Sequence, residues 1–313
     1  IILNNKNVLG EDSVIVSQID IELEAFERKE ISLILGVEEN LLECQDKAYQ
    51  YTKIPKIKEE LEIVKNEWKN ILEIVQVKTP LESLNIMMNG WLIYQTITSR
   101  LKARTAFYQA GGAFGFRDQL QDTICLKYFS TDIMKEQIIK HSKHQFIEGD
   151  VEHWWHEETN RGIRTLFSDD LLWLVYFTGD YQILNEKTNY VEGDVLEEGV
   201  EERYDEYLGG KVEESIFMHC QRAIKKSLNF GQNGLPKIGS GDWNDGFSKV
   251  GNKKIGESVW LGFFLYDVLN KWIPICEKIN EEKNDEILQR DIEEYRSIIE
   301  KLKKNLNTNG WDG

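Results

Sequence analysis

Residues 234–251 read GLPKIGSGDWNDGFSKVG, and residues 256–265 read GESVWLGFFL. The first is a loop, with glycine at 234, 239, 241, 246 and 251; the second is an apolar run that Glu257 and Ser258 open in the manner of a helix start. Within Gly239–Gly246 two carboxylates, an amide and an indole stand between three glycines, which cost folding entropy and are a poor choice for mere packing. An Asp beside a Trp pairs a proton-transfer group with a flat apolar wall, a combination suited to carbohydrate. Asp242, Trp243 and Asp245 are therefore the candidate centre. The residues alone do not choose between the two carboxylates, and an Asx-type turn is the structural alternative for Asp245. A calcium loop does not fit, because the required glycine comes one residue early and the twelfth position is Lys253.

The same alternation of chemistry-bearing loop and helix extends outward on both sides. From Leu81 helical periodicity dominates, with loops rich in Gly, Trp and Asp between the helices, and Asp267 to Leu306 is an amphipathic helical segment. Upstream, Thr79-Pro80 breaks the chain, and Leu61, Val64, Trp68, Ile71 and Val75 at spacings of three and four predict a helix in a linker over 38–78. The first 37 residues carry strand signals instead, in Val14-Ile15-Val16, the alternation Ile19, Ile21, Leu23, and Ile31 to Leu35. They read as the last strands of a β domain. The acidic run Glu197 to Glu206 reads as a solvated loop.

Two further stretches carry candidates. In Tyr94 to Asp122, Arg100 and Arg104 share a helix face, and after Gly111-Gly112 come Phe116, Arg117, Asp118 and Gln119. Such groups hydrogen-bond hydroxyls while aromatic faces cover the C–H surface of a sugar ring; the alternative is a glycine turn braced by structural ion pairs. In Glu148 to Trp173, Trp154 and Trp155 offer a stacking wall, with Arg161, Arg164, Asp169 and Asp170 as hydrogen-bonding or bracing groups. The alternative there is a loop held by buried Trp and ion pairs. His153 and His156 lack a third metal ligand, so no metal site is expected. The run GGAFG lacks the strand and the Gly-Lys-Ser of a phosphate loop.

Composition narrows the classes. The 313 residues are 41% hydrophobic with nine Trp, enough for a large core, and the formal charge of −16 from 54 acidic and 38 basic residues excludes a nucleic-acid or anionic-membrane surface. Cys44, Cys125, Cys220 and Cys276 show no CxxC spacing and read as free thiols in a reducing compartment. No apolar run reaches transmembrane length. The chain opens without Met and closes on a loop-like Asn309 to Gly313, so both ends are expected to continue into a longer protein.

Three motifs in order, SRLKARTAFYQAGGAFGFRDQLQD, EGDVEHWWH with GIRTLFSDDLLWL, and GLPKIGSGDWNDGFSKVG with GESVWLGFFL, resemble glycoside hydrolase family 94, the inverting β-glycoside phosphorylases. The resemblance is strong over about residues 80–275. It implies a mainly α chain: the end of a β-sandwich at 1–37, a helical linker at 38–78, and the N-terminal part of an (α/α)6 catalytic barrel at 79–313. It implies phosphorolysis of β-linked gluco-oligosaccharides with inversion to α-glucose 1-phosphate, with Asp245 as general acid and Trp243, Arg117 and Asp118 at the sugar. Asp242, Trp154, Trp155 and Arg164 complete the expected substrate-binding set. The co-substrate is inorganic phosphate, with no other cofactor, and the family's phosphate-binding residues would fall beyond Gly313, which leaves the activity of this piece alone open.

The form GSGDWNDG looks closest to the β-1,2-oligoglucan phosphorylases and the corresponding domain of cyclic β-1,2-glucan synthases. The expected location is cytoplasmic, attached to the membrane if the chain is part of such a synthase, and a homodimer is compatible with it. The competing expectation is a non-enzymatic glucan-binding or chain-length-controlling domain of the synthase. Leu171 to Asp180 joins two family segments with several residues missing, a loss of two helical turns or about 10 Å.

Overall fold

The computed structural model describes residues 16–38, 40–102, 112–179 and 183–311. The chain divides into two units, residues 1–70 and 71–313. In the first, residues 16–38 run without strand pairing and are followed by helices α1 (Leu41–Tyr51) and α2 (Ile54–Leu72), neither of which buries a residue. The strands expected from Ile19, Ile21 and Leu23 are therefore not formed among the described residues, while Val14 and Ile15 lie outside them. Alternation prepares a segment for a sheet, but a strand exists only where a second edge accepts its ladder of hydrogen bonds. Lys58 and Glu30 pair at 2.9 Å, and the Ser32 hydroxyl donates to the Thr52 carbonyl at 2.9 Å, so the extended segment lies along the helices.

The second unit is mainly helical. It begins with helical turns over 82–102, among them α3 (Glu82–Ile86) and α4 (Leu92–Gln95), and continues with α5 (Phe116–Thr123), α6 (Thr131–Ser142), α7 (Asp170–Phe177), α8 (Ile216–Ser227), the short α9 (Ser248–Gly251), α10 (Val259–Lys283) and α11 (Glu286–Thr308). Helix α7, DLLWLVYF, is apolar nearly all round and sits where α5, α6, α8 and α10 meet; every residue but Tyr176 is buried. It is eight residues long, the segment in which the sequence looks shortened. Helices α10 and α11 pack along each other, and the buried Gln221 of α8 ties them together, accepting from Trp272 Nε1 at 3.0 Å and from the Tyr295 hydroxyl at 2.9 Å. Side-chain caps fix four helix starts: Ser130 for α6, Ser215 for α8, Ser258 for α10 and Asp285 for α11.

The loops expected between helices are partly sheet. Strands β1 (Phe114–Gly115), β2 (Glu152–His156), β3 (Arg161–Thr165) and β5 (Glu202–Glu206) form one antiparallel sheet, while β4 (Lys187–Glu192) pairs with β6 (Leu208–Ser215). Thus EHWWH and RGIRT are the two arms of a hairpin rather than open loop, and the end of the acidic run is the exposed edge strand β5. Trp154 and Trp155 of β2 and Ile163 and Thr165 of β3 are aromatic and β-branched types that suit a half-buried pleated surface. The short length of the strands hid any alternation, and acidic side chains on an edge keep it from pairing further.

Leu172, fully buried in α7, tests this core. Leu172→Ala should cost about 2–5 kcal/mol in urea unfolding, whereas Val212→Ala on the exposed strand β6 should stay within about 0.5 kcal/mol of the parent.

Candidate functional site

The site is built around one guanidinium. Arg117, in the first turn of α5, is 5% exposed, and its Nη1 donates to Asp169 Oδ1 at 2.8 Å and to the Asp242 carbonyl at 2.9 Å, with Asp170 Oδ1 at 3.7 Å. Its Nη2 forms a short ion pair with Asp245. Burial opposes a charge here, but the three carboxylates outweigh it and push the Arg117 pKa up, so the side chain is a fixed cation. The Phe167 ring lies 5.5 Å from the guanidinium and stacks on His153 at 4.4 Å.

Behind Arg117 stands a second layer. Asp169 also accepts from Trp173 Nε1 at 2.9 Å, and burial together with the neighbouring Asp170 pushes its carboxyl up against the pull of Arg117. Asp170 Oδ2 meets His153 Nδ1 at 2.7 Å. Burial works against a charged His153, yet Asp170 overcomes it and raises the imidazole pKa. The signal in the sequence was the SDD of residues 168–170; its reading as bracing fits. His153, weighed there only as a metal ligand, is a charge partner instead, and the described residues hold no group of three metal-ligating side chains.

The loop of residues 239–246 is clamped at its start and free at its end. Gly239 has φ of +65°, and a Cβ there would collide with the Leu166 carbonyl oxygen, while a Cβ on Gly241 would enter the Phe167 ring. Gly246 faces open space. Asp242 is buried: Oδ1 accepts from the Asn244 amide nitrogen at 2.8 Å and from its side-chain nitrogen at 3.1 Å, and Oδ2 accepts from the Ser258 hydroxyl at 2.5 Å. Asp242 thus makes the Asx-type turn that the sequence offered for Asp245. Ser258 caps α10 with the same hydroxyl, so loop and helix share one anchor. Glu257, the other expected cap, instead accepts from the Asn233 and Leu235 backbones at 3.1 Å.

Asp245 lies past this anchor with its side chain 63% exposed, and Trp243 is 50% exposed. From Trp243 a row of rings leads inward through Trp260 at 6.5 Å, Phe264 at 5.3 Å and Trp173 at 4.4 Å, ending on the indole that holds Asp169. The outcome is one exposed carboxylate two residues after one exposed indole, on a loop anchored by its buried residues. Such a pair can present a proton and a stacking face to a bound sugar.

Other expected residues fall elsewhere. Asp118 is exposed in the first turn of α5, with its carboxylate over Gly115, and does not join the Arg117 cluster. Trp154 is half-buried and packs on His156 and Tyr204, each at 5.5 Å. Trp155 is wholly buried, stacked on His144 at 3.8 Å and on Phe114 at 5.6 Å, so its faces are taken and it cannot serve as a sugar wall. Arg164 is also wholly buried, donating to Asp150 at 2.7 and 2.8 Å, Glu148 at 2.9 Å, and the Gly193 and Asp194 carbonyls at 3.0 Å. That spends all five of its donors, so Arg164 is a brace with none left for a substrate. Arg100 pairs with Asp122; Arg104 and Gly111 lie outside the described residues.

A family model described as the glycosyl hydrolase 94 superfamily, catalytic domain, matches residues 67–313. The chain is 36% identical over 305 residues to the cyclic beta-(1,2)-glucan synthase NdvB of Rhizobium meliloti, covering 94% of this chain and 10% of that protein. It is 29% identical over 249 residues to solabiose phosphorylase of Paenibacillus borealis, covering 77% of this chain and 28% of that one. Against N,N'-diacetylchitobiose phosphorylase of Vibrio proteolyticus the identity is 25% over 282 residues, with coverage of 80% and 32%. The chain therefore spans between about a tenth and a third of these relatives' length.

The His153–Asp170 pair has a pH signature. A histidine whose folded pKa lies above the unfolded value of about 6.5 contributes its full stability below that pH and loses it as pH rises through the folded value. An NMR titration should place the His153 midpoint above about 6.5, and Asp170→Asn should bring it down. An unmoved midpoint would show that the pair carries no charge.

Proposed function

The chain belongs to the glycosyl hydrolase 94 superfamily, and from that premise we propose that it is part of an enzyme that splits β-linked gluco-oligosaccharides by phosphorolysis, releasing α-glucose 1-phosphate with inversion. We assign its substrates to the β-1,2 series, its helices to an (α/α)6 barrel, and its place to the cytoplasm or the cytoplasmic side of a membrane. The observation that carries the reading is that Asp245 and Trp243, two residues apart, are both exposed on a loop anchored through Asp242 and Ser258, with Asp245 paired to Arg117. The relation to two phosphorylases and a glucan synthase supports the reaction class. The shared core of α5 to α8, α10 and α11 supports the barrel.

In this mechanism Asp245 gives a proton to the glycosidic oxygen while Trp243 covers an apolar ring face. In the free protein Asp245 is held by Arg117. A sugar whose hydroxyls accept from Arg117 would take the place of that contact. The freed carboxylate would take up a proton from solvent before passing it to the leaving oxygen as phosphate displaces that oxygen at the anomeric carbon. Asp242, with both oxygens already bonded, holds the loop rather than the proton. One acid suffices because phosphate arrives as an anion and needs positioning, whereas an inverting hydrolase needs a second carboxylate to activate water.

In the full-length protein, Asp245→Asn should lower phosphate-dependent release of sugar phosphate by about 10²–10⁴-fold. A substrate with a good leaving group, which needs little protonation, should recover much of that loss. Undiminished activity would remove Asp245 from the acid role.

A second reading, a glucan-binding or chain-length-controlling domain without turnover, is favoured by the 36% identity to a synthase of which the chain covers 10%. Calorimetric titration with β-1,2-oligoglucans in the presence and absence of phosphate separates the two. Heat of binding alone supports this second reading, and a continuing phosphate-dependent reaction heat supports phosphorolysis.

A further inference from the structure

The loop of residues 239–246 borders a second hollow. A cavity of about 370 Å³ is bounded by Gly239 and Ser240, and not by Asp242, Trp243 or Asp245. It shares one wall with the Arg117 site, the Phe167 ring, and the volume is in the range of small-molecule pockets.

Its lining does not match the chain that surrounds it. In a protein of formal charge −16, three lysines, Lys226, Lys237 and Lys254, converge on this cavity. Lys226 lies 3.7 Å from Asp150, whose two oxygens already accept from Arg164. Among the described residues neither Lys237 nor Lys254 forms an ion pair, and the remaining carboxylate in the lining is Glu201. Ser240, 7% exposed, stands in the wall with its hydroxyl unpartnered. A buried polar group without a partner calls for a ligand or water that would satisfy it. Leu166, Phe167 and Leu171 add an apolar side to the same lining.

We propose that this cavity is a second binding site, for a small phosphorylated ligand. The ammonium groups of Lys237 and Lys254 would hold the phosphoryl oxygens, since charge-assisted donors recognise such a group best, beside the wall in which the Ser240 hydroxyl is enclosed. A sugar carried on that phosphate would lie against the apolar side. The phosphoryl group has two sources, inorganic phosphate and a sugar phosphate, which the apolar side distinguishes.

The site bears on the catalytic loop through the backbone. The Ser240 amide donates to the Leu166 carbonyl at 3.1 Å, and the Ser168 hydroxyl donates to the Ile238 and Gly241 carbonyls at 2.9 and 3.1 Å. A ligand held in this cavity therefore lies against the clamp that sets Asp242 and, through it, Asp245. The binding claim is independent of the reaction assigned above.

Calorimetry of the full-length protein with inorganic phosphate, with glucose 1-phosphate and with glucose tests it. The proposal expects a binding event for one or both phosphorylated probes that Lys237→Ala combined with Lys254→Ala weakens by at least about tenfold, and that Lys249→Ala, an exposed lysine outside the lining, leaves intact. Asp245→Asn should leave this event and its lysine dependence unchanged, which separates it from the Arg117 site. Dependence on Lys237 and Lys254 separates it from the phosphate site of the reaction, so its failure is distinct from failure of the phosphorolysis reading. Lysine-dependent binding of glucose 1-phosphate alone identifies the sugar phosphate as the source, and equal binding of both identifies phosphate. No binding, or binding indifferent to the two lysines, overturns the proposal.

Discussion

The rest of the site depends on the buried charge of Arg117. Removing a guanidinium from water is costly, and it is tolerated here because Asp169, the Asp242 carbonyl and Asp245 each take one of its hydrogen bonds. The cluster draws on three places in the chain: α5 supplies the arginine, the start of α7 supplies Asp169 with Asp170 close by, and the glycine loop supplies Asp242 and Asp245. A charge that must find all its partners permits few arrangements, so the ion-pair cluster specifies how these elements meet. Losing one partner of such a cluster costs about 3–5 kcal/mol, because the remaining charge stays buried.

The same device recurs at Arg164, which joins β3 to Asp150, Glu148 and the chain at 193–194. The difference lies at the surface. Arg164 faces only bonded partners and is wholly enclosed, whereas Arg117 has one partner, Asp245, with its side chain 63% exposed. A guanidinium that is itself enclosed and spends all five donors on the protein, as Arg164 does, holds the fold even though its partner Glu148 is 34% exposed. One whose partner is mostly exposed can exchange that partner for a ligand, which is why two similar arginines serve different ends.

Rigidity around the exposed pair follows from economical anchors. The Ser258 hydroxyl both caps α10 and bonds Asp242, so the helix start and the loop cannot shift separately. The aromatic row from Trp243 to Trp173 ends on the indole that bonds Asp169, which links the exposed stacking face to the buried side of the Arg117 cluster. Phe167 touches His153 and Arg117 and also lines the lysine-bearing cavity, so the cavity and the Arg117 cluster are neighbours through one residue.

By itself the sequence determined the mainly helical character of residues beyond 79, the amphipathic helical segment Asp267 to Leu306, the helix start at Glu257 and Ser258, and the loop Gly239–Gly246 as the centre of interest. These are local properties, set by spacing, caps and glycine. Only the tertiary structure decided which of two adjacent tryptophans is enclosed, that Arg164 is spent as a brace, and that His153 answers Asp170. It also turned EHWWH and RGIRT into a hairpin and left residues 16–38 without strand pairing. The reason is the same in each case: burial and hydrogen-bond partners are supplied by distant segments. Arg117 meets Asp169 across 52 residues and Asp245 across 128, distances over which no local pattern carries information.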